Sequence, residues 1–244
     1  MTRTITWLLF AAGIALTARA ADPSALWHIV HDRCVPDAQM HQNPAPCAAV
    51  NLAGGFVVLK DITGNTQYLV IPTTRVSGIE DKAILAPGAP NYFADAWDAR
   101  SYVDRSAGHD LPRDGITLAI NSIYGRTQDQ LHIHVDCIRR DVRDSLEQYQ
   151  SQIGTRWGAF PVPLAGHKYR AMRIVQPEPG SINPFRLLAE DVTQAQMGTH
   201  TLVLAGATFD GKPGFILLDG EAALATGDRG SGEELQDHDC GLAR

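Results

Sequence analysis

No cluster of lysines or arginines occurs in this chain, and acidic residues outnumber basic ones by 27 to 21, for a net charge of −6. A general nucleic-acid footprint is thereby excluded, as is a polybasic patch for anionic lipid. After residue 20 no stretch is long and apolar enough to cross a bilayer. No Gly-x-Ser-x-Gly elbow is found, so a serine hydrolase has little support. Gly206-Ala207-Thr208-Phe209-Asp210-Gly211-Lys212 imitates a phosphate-binding loop, yet Pro213 stands where Ser or Thr is required and no helical pattern follows. It reads as a hairpin turn. Low-complexity tracts and short-period repeats are also missing.

What is present begins at the N-terminus. Arg3, an apolar run from Ile5 to Thr17 and the small-x-small site Ala18-Arg19-Ala20 predict an export signal or N-terminal anchor over residues 1–20. Residues 21–244 are then enough for a substantial core, read as one half over 21–150 and a second over 151–244. Four cysteines behind such a segment predict disulfides in an oxidising, extracytoplasmic compartment. Four allow three pairings. The short Cys34–Cys47 loop is favoured, which leaves Cys137 with Cys240; an oxidising compartment would disable a catalytic cysteine.

The most informative segment is Gln130-Leu131-His132-Ile133-His134-Val135. Polar and apolar residues alternate strictly, the period of a β-strand. Leu131, Ile133 and Val135 are predicted to face a core, with Gln130, His132 and His134 on the opposite face. Two imidazoles side by side on a rigid strand can serve as nucleophile, proton carrier or metal ligand. A zinc site would need a third ligand, such as Asp136, His109 or His167, and none has diagnostic spacing. His28, His31, His41, His200 and His238 stand in no constellation and read as surface or capping residues, and His167 as a loop residue.

Elsewhere the pattern predicts a short helix over Ala25–Val30, a loop from Pro36 to Pro46, and strands over Phe56–Lys60, Gln67–Pro72 and Ile116–Ile120. Gly64-Asn65 signals a hairpin turn. One helix is predicted over Asn91–Ala107, packing through Phe93, Ala96, Trp97 and Tyr102 and ended by Gly108. Asp144–Ile153 and Leu187–Met197 read as helices; Tyr169–Val175, Thr201–Ala207 and Gly214–Leu218 read as strands. The sum is an antiparallel α+β protein.

Gly125-Arg126-Thr127-Gln128-Asp129-Gln130-Leu131-His132-Ile133-His134-Val135 resembles the histidine-triad pattern, a Gly-containing turn leading into His-φ-His-φ-His with φ apolar. Tyr68-Leu69-Val70-Ile71-Pro72 and Ile120-Asn121-Ser122 fall where that superfamily has a hairpin strand and an asparagine at the nucleotide. More closely, the chain is similar to the CDP-diacylglycerol pyrophosphatase family. The likeness runs through Val57-Val58-Leu59-Lys60-Asp61, Thr117–Ser122, Gly125-Arg126-Thr127-Gln128, Cys137-Ile138-Arg139, Asp141-Val142-Arg143 and Gln236-Asp237-His238, and includes all four cysteines.

The resemblance implies a histidine-triad-like antiparallel sheet with helices, in two related halves, and hydrolysis of CDP-diacylglycerol to CMP and phosphatidate. His132 would be the nucleophile and His134 a donor to the phosphate. Asn121, Thr127, Gln130 and Lys60 would bind substrate, although Lys60 also reads as a solvated strand end. Gln130 replaces the first histidine of the triad and cannot be a cation. No metal or cofactor is required by this scheme. The implied partner is the lipid nucleotide at a membrane surface, in the periplasm at the inner membrane. Two rivals stand beside it: a nucleotidyl transferase or hydrolase of soluble nucleotide diphosphates using the same His132, and a periplasmic binding protein that keeps the fold but has lost catalysis, motivated by Gln130. Oligomeric state and the acceptor stay open.

Overall fold

Among the described residues there are ten strands, the longer ones mostly apolar and buried on both faces: β1 (Ala49–Asn51), β2 (Phe56–Lys60), β3 (Tyr68–Pro72), β4 (Ile116–Ile120), β5 (Ile133–Ile138), β6 (Gly158–Ala159), β7 (Arg170–Ile174), β8 (His200–Phe209), β9 (Lys212–Glu221) and β10 (Gln236–Asp237). In the computed structural model, which describes residues 22–243, these strands form one antiparallel sheet. Its order is β1-β2-β3-β5-β4-β8-β9-β7-β6, with β10 pairing the end of β5. The fold is α+β. The signal or anchor expected over residues 1–20 lies outside the described residues. No helix among the described residues is long and apolar enough to cross a membrane.

Read outward from the central β4–β8 pair, the two sides repeat one order, β4-β5-β3-β2 and β8-β9-β7-β6. β9 therefore occupies the place of β5. On that face it carries Ile216 and Leu218, packed with Val142 and Leu146, where β5 carries histidine. The halves are not separate in sequence, because residues 230–240 return to the first half and Cys240 is bonded to Cys137.

One sheet face, with Val58, Val70, Leu118, Ile133, Val135, Leu204 and Leu217, packs on helices α3 (Tyr92–Asp98), α4 (Arg100–Ala107) and α6 (Pro184–Ala189). Trp97 is buried there edge-on to Phe215, with ring centroids 4.9 Å apart. The other face is covered in two places. Helix α5 (Arg140–Tyr149) covers the second half. The N-terminal helices α1 (Ala25–Ile29) and α2 (Val35–His41) cover Val57, Leu59, Leu69 and Ile71, and Cys34–Cys47 closes that unit. In register, His134 lies between Leu69 of one patch and Ala119 of the other. The histidines occupy the gap between two covers.

Several expectations are corrected. The histidine strand begins at Ile133 rather than Gln130, because Leu131 N–H donates to Val76 O and the Gln130 side chain is bonded to residues 72–76. The helix expected over Asn91–Ala107 is two helices that break at Ala99, where the Arg100 guanidinium takes the Trp97 carbonyl. Val35–His41 is helical, not loop, and the Leu187–Met197 helix reduces to Pro184–Ala189. The Phe209–Lys212 turn is a tight hairpin with Asp210 and Gly211 both at positive φ, as the failed phosphate-loop motif predicted.

Candidate active site

His132 sits at the entry to β5. Its Nδ1 lies 2.7 Å from the Gln130 carbonyl. A carbonyl only accepts, so Nδ1 carries the proton and Nε2 keeps its lone pair. The residue is 7 % exposed and lines a cavity of about 590 Å³. Burial, reinforced by neighbouring His134, pushes its pKa down to about 4. At neutral pH the ring is uncharged.

His134 follows on the same face, its ring centroid 4.9 Å from that of His132. Neither of its ring nitrogens has a hydrogen-bond partner within the protein. Nδ1 approaches Glu233 Oε1 at 3.5 Å. Burial lowers its pKa, with Glu233, Asp61 and Asp136 opposing. Burial pushes Glu233 up, but His134 and the donors Gln67 and Asn121 outweigh it and hold the carboxyl below its usual range. The Glu233 carboxylate thus stands against the His134 ring.

The remaining predicted residues divide. Asn121, Thr127 and Lys60 line the same cavity. Asn121 Nδ2 donates to Glu233 Oε2 at 3.1 Å, while its Oδ1 accepts from Glu233 N–H. Lys60 Nζ donates to the Asp61 and Gly64 carbonyls, within the hairpin turn. Gln130 does not line the cavity, contrary to the shared face expected for it. Its Nε2 donates to Pro72 O and Thr74 O, and it is fully buried. Standing before the strand, it clasps the 72–76 loop. Gly125 packs so closely on residues 229–230 that a Cβ there would meet Gly230 O at 3.0 Å.

Among the other histidines, two expectations fail. His238 is not a plain surface residue, since its Nδ1 is bonded to Asp136 Oδ2 at 2.8 Å and its Nε2 is 3.7 Å from Glu233. His200 is buried, with Nδ1 on Asp219 at 2.7 Å. Asp136, the nearest candidate for a third zinc ligand, is engaged by Thr66, Cys137 N–H and His238. His167 stands apart with Asp228, and His109 is exposed. Among the described residues no group of three or more His, Cys, Asp or Glu is arranged to hold a metal ion.

Glu233 and Arg33, both lining the cavity, were not singled out from sequence. The Cys137–Cys240 pairing was the available signal for Glu233, because it brings the C-terminus to the histidine strand. Nothing comparable marks Arg33.

The wall also carries apolar side chains, Leu26 and Ile29 of α1, Pro46, Leu59, Ile62 and Leu69, together with Asp61, Thr63 and Gln128. Gln128 ties α1 to this rim, accepting from Leu26 N–H and donating to Asp22 O.

Fold and site together define an α+β protein with a paired-imidazole pocket, suited to attack on an electrophile by a neutral ring nitrogen. Comparison with known proteins gives the family. The sequence pattern of the CDP-diacylglycerol pyrophosphatases matches residues 21–244. A CDP-diacylglycerol pyrophosphatase of Yersinia pestis is 41% identical over 252 positions, covering 98% of this chain and 96% of that protein. The chain belongs to the CDP-diacylglycerol pyrophosphatase family, a family of hydrolases. Two disulfides, Cys34–Cys47 and Cys137–Cys240, fit an exported protein.

Proposed function

We propose that this protein hydrolyses CDP-diacylglycerol to CMP and phosphatidate, with His132 as nucleophile in a histidine-triad-like mechanism. Phosphoanhydride oxygens are negative and repel anionic attackers; a neutral imidazole avoids that repulsion and divides one hard displacement into two easier ones. The observation that carries the reading is the His132 Nδ1 contact with the Gln130 carbonyl, which leaves the Nε2 lone pair for phosphorus. His132 attacks the phosphorus bearing cytidine, phosphatidate departs, and water releases CMP from the nucleotidyl-histidine. His134 stabilises the charge that develops on the phosphate oxygens. Thr127 and Lys60 are the further substrate contacts we assign, with the exposed Arg33 at the rim as a cation for the diphosphate. Gln130 supports the loop beneath rather than the substrate.

The lipid part of the reading rests on the apolar side chains of the cavity wall. Leu26, Ile29 and the fully exposed Ile62 form a rim that suits acyl chains more than a soluble alcohol. Gln128 of the cavity wall also donates to the Asp22 carbonyl. That arrangement suits an exported enzyme working at the periplasmic face of the inner membrane.

The test is incubation of residues 21–244 with CDP-diacylglycerol and measurement of CMP. The reading expects CMP release that disappears in His132→Ala while the fold is retained. Turnover surviving in that variant, or no turnover in either protein, overturns it.

A further inference from the structure

His134 and Glu233 lie 99 positions apart in sequence, yet the carboxylate is built into the histidine site. Gln67 Nε2 donates to its Oε1 at 3.1 Å and Asn121 Nδ2 to its Oε2 at 3.1 Å. Gly232, the preceding residue, packs so tightly that a Cβ would meet Thr201 Oγ1 and Val203 Cγ2 at 2.6 Å, which fixes the approach of this segment to the sheet. Oε1 lies 3.5 Å from His134 Nδ1 and 3.7 Å from His238 Nε2.

Carboxylate oxygens only accept, so the favourable form of this contact has the proton on His134 Nδ1. A neutral ring protonated there has a bare Nε2, which cannot donate to a phosphate oxygen. Donation from Nε2 requires the doubly protonated ring. A carboxylate behind that ring is the arrangement that favours it, as an acid orients and charges the imidazole in other catalytic sites.

We propose that Glu233 is a positioning residue that fixes His134 with Nδ1–H toward its carboxylate and sustains the doubly protonated ring once a diphosphate lies against Nε2, making His134 the acid for the departing phosphate monoester. The inference rests on His132 as nucleophile. In the first displacement the His132 Nε2 lone pair forms the N–P bond and the P–O bond to phosphatidate breaks. The departing oxygen takes that bond's electron pair and the His134 Nε2 proton. His134, now neutral, keeps Nδ1–H on Glu233. In the second displacement His134 Nε2 takes a proton from water as the water oxygen bonds phosphorus, the P–N bond breaks, and its electrons return to His132 Nε2. CMP leaves with His134 again doubly protonated; that second proton is taken from solvent as the diphosphate binds and returned to solvent as product departs.

Other charged and titratable groups face this pair. They are His132 just before β5, Asp136 on β5, Lys60 and Asp61 where β2 ends, His238 after β10, and Arg33 at the cavity wall. None of them changes in Glu233→Gln. The amide sets one NH₂ against either the Gln67 or the Asn121 donor, so thermal unfolding of each variant is recorded alongside kinetics.

The experiment measures kcat and KM for CDP-diacylglycerol from pH 5 to 9 in the wild type, Glu233→Gln and Glu233→Asp. In Glu233→Gln, kcat should fall about 10²-fold, the scale of acid–base assistance, with KM little changed. The alkaline fall of kcat should move about 1–3 pH units lower, because the charge that favours the doubly protonated ring is gone. Glu233→Asp should recover part of both effects. A uniform loss at every pH with no recovery by Asp, or a kcat unchanged in Glu233→Gln, overturns the proposal. Turnover persisting in His132→Ala would overturn the underlying nucleophile instead.

Discussion

Replacing His132 by Asn should remove a defined part of the protein's sensitivity to acid. The ring is buried and neutral, with a pKa near 4 in the folded protein against an ordinary 6.5. Between those values the unfolded chain binds a proton that the folded chain refuses, so stability rises with pH there. It is fully present above about pH 6.5, is lost as pH falls toward 4, and changes no further below. At pH 5 this one group costs about 2 kcal/mol relative to pH 7.5, or about 4–8 °C in Tm for a chain of this size. The Asn amide can still donate to the Gln130 carbonyl but does not titrate. Urea or thermal unfolding of both proteins at pH 7.5 and pH 5 isolates the effect, since cavity losses in the variant apply at both pH values. Wild type should lose about 2 kcal/mol more than His132→Asn on acidification, with a residual slope from His134, which is also depressed by burial. Parallel losses in the two proteins would refute a ring held neutral by burial.

Three further outcomes follow from the packing. Removing Cys137–Cys240, which closes a separation of 103 residues, should lower stability more than removing Cys34–Cys47, with a separation of 13; chain-entropy scaling gives about 4.7 against about 3 kcal/mol, read as Tm differences between the two double Cys→Ser proteins. His238→Ala takes the partner from Asp136, a fully buried carboxyl that burial raises and His238, Thr66 and Cys137 N–H pull down; stability should fall by about 3–5 kcal/mol in urea unfolding at pH 7, and a change under 1 kcal/mol would contradict the pairing. Leu26→Asp with Ile62→Asp should raise KM for CDP-diacylglycerol in mixed micelles at least about tenfold, since one tenfold step is about 1.4 kcal/mol, and leave KM for a soluble CDP-alcohol unchanged; equal effects on both substrates would exclude an acyl role for the rim.

Much of this architecture could be read from residue order, and the reasons for the rest are local. Short apolar, β-branched runs identified β2, β3 and β4, and strict alternation assigned Leu131, Ile133 and Val135 to the core opposite His132 and His134. It failed at Gln130 because a side-chain clasp onto Pro72 O and Thr74 O competes with the ladder, and periodicity carries no information about such long-range bonds. The break at Ala99 has no glycine or proline to signal it; an arginine side chain takes a carbonyl instead. Short strands such as β6 and β10 have too few residues for a period to register. Glu233 and His238 join the site only through the return of the C-terminal segment, a contact of high sequence separation. The cysteine pairing contained that information, because tying residue 240 to residue 137 brings everything from Gly230 onward beside β5.

The central claim is a covalent bond between His132 Nε2 and the cytidine-bearing phosphorus. Rapid acid-free quenching of the protein with CDP-diacylglycerol labelled at that phosphorus, followed by peptide mapping, measures it directly. The account predicts alkali-stable, acid-labile label on the peptide containing His132, formed and lost at rates that support turnover. Steady CMP production with no label on that peptide at any time, or label on another residue, would contradict it.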